Sequence, residues 1–194
     1  MSAPLKLRFL LSAPRAELLP PSRAEVACIG RSNVGKSSLI NALDGGRKPV
    51  ANVSKTPGRT QLLNCFAVEA DTTVVDCPGY GYAAVSKQTR AGWGPMVEHY
   101  LLTRDALRMV LVLVDGEIGP TKLDVAMLDW LRTHTLPHTV IATKYDKVRS
   151  AKRERRRRDL AAGCRLELGD IVWSSAAKGV GIDRLRDLVR LWLD

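Results

Sequence analysis

Aromatic side chains are scarce in this sequence. Phenylalanine occurs twice and tryptophan and tyrosine four times each, together 5% of 194 residues. No basic stretch interleaved with aromatics is present, so readout of nucleic-acid sequence by stacked bases is not indicated. The four cysteines, Cys28, Cys65, Cys77 and Cys164, stand 37, 12 and 87 residues apart without a CxxC pair. That excludes a zinc ribbon and a disulfide framework, and predicts reduced thiols buried on strands. Long apolar runs are also missing. Met109 to Val114 is among the longest, far short of the ~18 residues of a membrane helix. Leu5, Leu7 and Phe9 alternate with Lys6 and Arg8 between Pro4 and Pro14, unlike a secretory core, so a cytoplasmic protein is expected. Of three histidines, His134 and His138 lie four apart, but Pro137 interrupts the helix that would pair them on a metal.

What is present suits one globular unit, 45% hydrophobic and 26% charged. The expected division is an extension over residues 1–22 packed on a single domain over 23–194. Net charge is +10 and unevenly placed. Residues 147–158 carry eight basic side chains, Lys147, Arg149, Lys152, Arg153, Arg155, Arg156, Arg157 and Arg158, against Glu154 alone. Residues 47–59 add Arg47, Lys48, Lys55 and Arg59 with no acid. The remainder is near neutral, which points to a localised anionic partner. The arginine-rich run is read as encircling a helix, a poor core face but a good set of phosphate contacts.

Apolar stretches at Val26–Ile29, Cys65–Ala70, Thr72–Asp76, Met109–Asp115, Thr139–Thr143 and Ile171–Ser174 predict six strands, most of them buried on both faces. Helical periodicity lies between them. It runs through Leu39 and Leu43, through Trp93, Val97, Tyr100 and Leu101, and through Leu123, Met127, Trp130 and Leu131. Ile182, Leu185, Leu188, Val189 and Trp192 mark the last helix. The expected architecture is α/β: a mostly parallel six-stranded sheet with helices on both faces and its ligand site beyond the carboxyl ends of the strands. Trp130, Trp173 and Trp192 are read as core residues, and Asp124 and Asp129 as exposed helix positions.

Gly30-Arg31-Ser32-Asn33-Val34-Gly35-Lys36-Ser37, with Ser38 behind it, follows the first of these strands and opens a helix. This is a Walker A loop, in which a curled backbone turns amides onto phosphate oxygens. Lys36 adds charge against the β- and γ-phosphates, and the Ser37 hydroxyl suits Mg²⁺. Asp76-Cys77-Pro78-Gly79 ends the third of these strands. Asp76 is placed to hold a Mg²⁺-bound water, and the Gly79 amide to reach a γ-phosphate. Between them lies a weakly periodic stretch containing Gly58, Arg59, Thr60, Gln61 and Leu62. Thr60 is the candidate threonine that meets Mg²⁺ only when a γ-phosphate is present, with Thr56 as its rival. Lys36, Thr60 and Gly79 are thus the expected catalytic set.

Thr143-Lys144-Tyr145-Asp146 follows the fifth of these strands. Asp146 can accept from guanine N1 and N2 together, a donor pair adenine lacks, while the Lys144 stem lies along the base. Ser174-Ser175-Ala176 follows the sixth, with the Ala176 amide facing guanine O6.

With these motifs in place the sequence resembles TRAFAC-class GTPases, in the TrmE-Era-like branch, and among them the EngB family of bacterial ribosome-assembly GTPases. The wording that carries the resemblance is GRSNVGKSSLIN from Gly30, SKTPGRTQLLN from Ser54, DCPGYGYA from Asp76 and TKYDK from Thr143, together with Leu10 to Pro14, Pro20-Pro21 and Trp93 through Tyr100 to Arg104. It implies a P-loop G domain that binds GTP and GDP with Mg²⁺ and assists maturation of the large ribosomal subunit. It also implies rRNA as partner, no membrane, a monomeric state and a link to cell division. Glu117 stands where the family leads one to expect arginine, and Thr143 where many GTPases carry asparagine.

Tyr80 occupies the position after DxxG that in many small GTPases holds a water-orienting glutamine. Slow intrinsic hydrolysis is therefore expected, with transition-state charge supplied by a partner or a monovalent cation. Asn33 is the candidate for K⁺, its other reading being a brace of the loop. Arg31 is placed to touch either phosphate or RNA, and the sequence leaves that choice open.

Overall fold

The computed structural model describes residues 2–46, 48–51, 62–69, 71–81 and 94–194. In chain order these form β1 (Arg8–Ala13), β2 (Ala24–Gly30), α1 (Lys36–Asp44), β3 (Leu63–Glu69), β4 (Thr72–Asp76), α2 (Pro95–Thr103), β5 (Leu107–Asp115), α3 (Lys122–Thr133), β6 (His138–Thr143), α4 (Arg153–Cys164), β7 (Ile171–Trp173) and α5 (Ile182–Leu193). One sheet runs in the order β1-β3-β4-β2-β5-β6-β7. The pairs from β4 through β7 are parallel, and β3 is antiparallel to both β1 and β4.

The six expected strands become seven. The additional one, β1, sits at the sheet edge, and its register with β3 shifts between Phe9 and Leu11. That bulge breaks the alternation that marks a half-buried strand, so Leu10 and Leu11 fall together where a regular pattern would separate them. Phe9 remains 48% exposed and meets Phe66 edge-on at 5.7 Å.

Two apolar layers cover the sheet. Val97, Tyr100 and Leu101 of α2, Met127, Leu128 and Leu131 of α3, and Leu160, Ala161 and Cys164 of α4 pack with Ala27, Ile29 and Val112 on one face. Leu39, Ile40 and Leu43 of α1 and Leu185, Val189 and Leu193 of α5 pack with Val26, Cys28 and Leu111 on the other. This two-sided cover explains why every residue of β2 is buried. The cysteines are all buried, but only Cys28 and Cys65 lie on strands; Cys77 follows β4 and Cys164 ends α4. Burial pushes the Cys65 thiol up to about 12 and that of Cys164 to about 11. The thiols thus stay protonated in the folded chain at neutral pH.

Below the carboxyl ends of the strands, Glu25 at the start of β2 is fully buried and gathers four hydrogen bonds. Tyr100 Oη donates to Oε1 at 2.8 Å, Thr73 Oγ1 to Oε2 at 2.6 Å, and Arg104 donates twice, at 3.0 and 3.1 Å. This network ties β2, β4 and the end of α2 together at the pole of the sheet opposite the motifs. Among the described residues no helix is long and apolar enough to cross a membrane.

Candidate functional site

The glycine-rich loop joins β2 to α1 at the point where the sheet order reverses, with β4 on one side of β2 and β5 on the other. Gly35 has φ +111°, a left-handed value that a side chain would strain, and it opens α1 with its first-turn amides lacking intrahelical acceptors. Gly79 lies so close to the loop that a Cβ there would stand 2.9 Å from Ser32 N and Cα. The contact is fixed by a short bridge between Arg31 and Tyr80: the Ser32 amide donates to Tyr80 O at 3.1 Å, and the Tyr80 amide donates to Gly30 O at 3.2 Å. The DxxG turn is thereby zipped to the phosphate loop.

Lys36 and Asp76 are both buried at this junction. Burial raises the Asp76 carboxyl to about 6, an effect opposed by the Lys36 ammonium and by the Ser37 hydroxyl. Ser37 Oγ is 3.5 Å from Asp76 Oδ2, and Asp76 Oδ1 is a buried acceptor with no partner among the described residues. A hydroxyl and an unsatisfied carboxylate oxygen side by side fit a hard divalent cation that takes its other oxygens from phosphate and water.

Across β5, the loops after β6 and β7 form a pocket of about 220 Å³ lined by Gly35, Ser38, Lys144, Asp146, Ser174 and Ala176 among others. The buried Thr143 hydroxyl lies 2.7 Å from Val34 O, to which it donates, tying this pocket to the phosphate loop. Asp146 Oδ1 accepts from the Ser175 hydroxyl at 2.5 Å. Tyr145 packs edge-on against Trp173 at 5.5 Å, and its amide donates to Ser174 O.

Residues 30–38 and 76–79 thus meet where β2 and β4 end, and the Thr143 hydroxyl joins them to the pocket lined by Lys144, Asp146, Ser174 and Ala176. Gly58, Arg59, Thr60 and Gln61, together with Thr56 and Arg47, lie outside the described residues; Leu62 stands at their edge, 38% exposed. Arg31 lines a second cleft of about 440 Å³ with Tyr80 and Lys122, between the phosphate loop and the start of α3.

Asp124 corrects the sequence reading. It is 1% exposed, with Oδ2 accepting the Thr121 amide at 2.8 Å as a capping box and Oδ1 accepting the Tyr80 hydroxyl at 2.8 Å. Thr121 and Asp124 in that spacing were the available signal; the Tyr80 contact had none. The Ser175 hydroxyl that orients Asp146 across 29 residues likewise has no local signal in the sequence. In the basic run, Arg153, Arg156 and Arg157 are half-buried while Lys147, Arg149, Lys152, Arg155 and Arg158 are exposed. The run therefore does not present charge all round. Arg153 stacks over Tyr145 at 4.6 Å, and Arg156 donates to Ile118 O at 3.3 Å.

The family described as 50S ribosome-binding GTPase matches residues 25–144. A probable GTP-binding protein EngB of Desulforapulum autotrophicum is 41% identical over 180 residues, 92% of each chain. That of Heliobacterium modesticaldum is 47% identical over 186 residues, 93% of this chain and 89% of its own. A crystal structure of a probable EngB superposes with TM-score 0.70 at 25% identity, covering 88% of this chain and 98% of that one. Era of Aquifex aeolicus bound to GDP and AlF4⁻ shares the fold, with TM-score 0.65 at 24% identity over 88% of this chain and 56% of Era. Identity at the level of the EngB proteins, sustained across both chains, shows that the chain belongs to the EngB family of GTP-binding proteins and that it hydrolyses GTP.

Proposed function

We propose that this GTPase is a nucleotide-driven switch that assists assembly of the large ribosomal subunit, acting as a cytoplasmic monomer, with any effect on cell division following from that role. The phosphate-loop amides and Lys36 bind the phosphates, and the Gly79 amide and Thr60 respond to the γ-phosphate. Ser37 and Thr60 would hold Mg²⁺ directly, and Asp76 would hold it through water. Mg²⁺, when bound, neutralises charge shared by the β- and γ-oxygens. Asp146 reads guanine beside the Lys144 stem, and the Ala176 amide faces O6.

The observation that carries the ribosomal reading is the outward charge of α4 and the turn before it. Arg149, Lys152, Arg155 and Arg158 are exposed, and among the described residues Arg155 has only the exposed Asp159 as an ion partner, at 3.6 Å. They adjoin the base pocket through the Arg153–Tyr145 stack. Charge at this density without aromatic platforms suits the backbone and shape of ribosomal RNA. Co-sedimentation with ribosomal subunits is expected in a non-hydrolysable GTP analogue and not in GDP, weakening steeply with salt. Converting those four residues to glutamine weakens it, lowers the log–log salt slope by roughly 3, and leaves GTP affinity unchanged. Absence of association in either nucleotide state would instead assign the chain to a process outside ribosome assembly.

Tyr80 stands where many small GTPases carry a water-orienting glutamine, and its hydroxyl donates to Asp124 instead, which supports slow intrinsic hydrolysis. Asn33, exposed at φ +62° on the phosphate loop, is placed to hold K⁺ against the phosphates, supplying the missing positive charge. Single-turnover hydrolysis is expected to run on the order of tenfold faster in K⁺ than in Na⁺ at equal ionic strength. Equal rates would leave Asn33 as a brace.

A further inference from the structure

Asp115 ends β5 beside the base pocket and belongs to none of the motifs that define it. It is 8% exposed, and its two oxygens do separate work. Oδ1 accepts the amides of Glu117 at 2.9 Å and Ile118 at 3.3 Å, folding the turn after the strand. Oδ2 accepts from Lys144 Nζ at 2.7 Å. Lys144 itself adopts a left-handed backbone, φ +56°, and lines the pocket together with Asp146 and Ala176. Its side chain is 37% exposed, so without a fixed tip the four-carbon stem would sample many rotamers. Fixing the ammonium fixes the stem.

We propose that Asp115 is a positioning residue for nucleotide binding: through the Lys144 ammonium it holds the lysine stem as a preformed wall of the base pocket. The inference rests on reading this pocket as the guanine site. It divides base recognition into two separable parts. The stem contacts the face of any purine and is blind to its substituents, whereas Asp146 reads the 2-amino group. Loss of Asp115 therefore weakens guanine and hypoxanthine nucleotides alike, since hypoxanthine differs only in lacking that group.

The test measures Kd for GDP and IDP on the full chain by displacement of a fluorescent nucleotide, with thermal unfolding recorded for each variant. Asp115→Asn keeps a carbonyl for the two amides but turns a neutral amide toward Lys144. It is expected to raise both Kd values about fivefold with their ratio unchanged, while Asp115→Glu, which restores the charge, lies nearer the wild type. Lys144→Met keeps an apolar stem without the ammonium, and Asp115→Asn added to it is expected to weaken binding no further. A double variant weakened by the product of the two single effects, or Asp115→Asn binding GDP as the wild type does, would overturn the proposal. Asp146→Asn is the control for the underlying reading: if it leaves the GDP-to-IDP ratio unchanged, guanine is not read in this pocket and both inferences fall.

Discussion

Asp146→Asn is expected to weaken GDP binding by between about 10² and 10⁴-fold while improving the binding of xanthosine diphosphate. The carboxylate accepts the Ser175 hydroxyl at 2.5 Å on Oδ1, which holds the side chain in one orientation and leaves lone pairs for two further donors. Guanine offers such a pair at N1 and N2. Each charge-assisted bond contributes about 1.5–3 kcal/mol, so losing both corresponds to that range of affinity. The asparagine amide also turns an N–H toward the 2-amino group, setting donor against donor. Xanthine carries an oxygen at that position and accepts from the same amide, so preference reverses rather than merely fading. Calorimetric titration with the two diphosphates decides it. A GDP loss below tenfold with no gain for the xanthine nucleotide would mean that Asp146 does not read the base.

The contrast between Asp146 and its supports shows what a sequence displays and what it conceals. Gly35, Lys36, Asp76 and Asp146 were legible because a phosphate loop and a base loop require fixed residue types at fixed local spacing, directly after strands that announce themselves as apolar runs. The supporting contacts are non-local. Ser175 reaches Asp146 and Asp115 reaches Lys144 across 29 residues, and Tyr80 reaches Asp124 across 44. No periodicity encodes such pairings, so Asp124 read as an exposed acid although Tyr80 and Thr121 bury it. β1 was missed for a local reason, since its bulge places Leu10 and Leu11 out of alternation and its outer edge is open to solvent. Likewise the strong charge of residues 147–158 was legible, but its division into residues turned back onto Tyr145 and Ile118 and residues facing outward was not.

The largest effect on stability is expected far from the nucleotide. Glu25→Gln removes the negative charge from a side chain of zero exposure while the guanidinium of Arg104, with 14% of its side chain exposed, stays in place. Each carboxylate oxygen accepts two donors, so only two of the four keep an oxygen to bond: the new NH₂ group faces either Thr73 and Arg104 Nη2 or Tyr100 and Arg104 Nε. Breaking a buried pair from one side costs about 3–5 kcal/mol, because the remaining charge keeps its desolvation penalty without its partner. For a domain of this size that lowers the unfolding midpoint by about 10 °C. Arg104 also donates to Pro20 O at 2.6 Å, so the loss loosens the segment between β1 and β2 as well as the joint with α2. Replacing both partners, Glu25→Leu with Arg104→Leu, removes the stranded charge and is expected to be less damaging than Glu25→Gln alone, since apolar groups in the same volume need no partner. GDP affinity of the folded protein is unchanged in either case. β2 carries Glu25 at one end and the phosphate loop at the other, about 20 Å apart at the rise of a strand. Thermal denaturation followed by circular dichroism separates the cases: a midpoint within about 2 °C of the wild type for Glu25→Gln would show that the pair is not the clasp of this pole of the sheet.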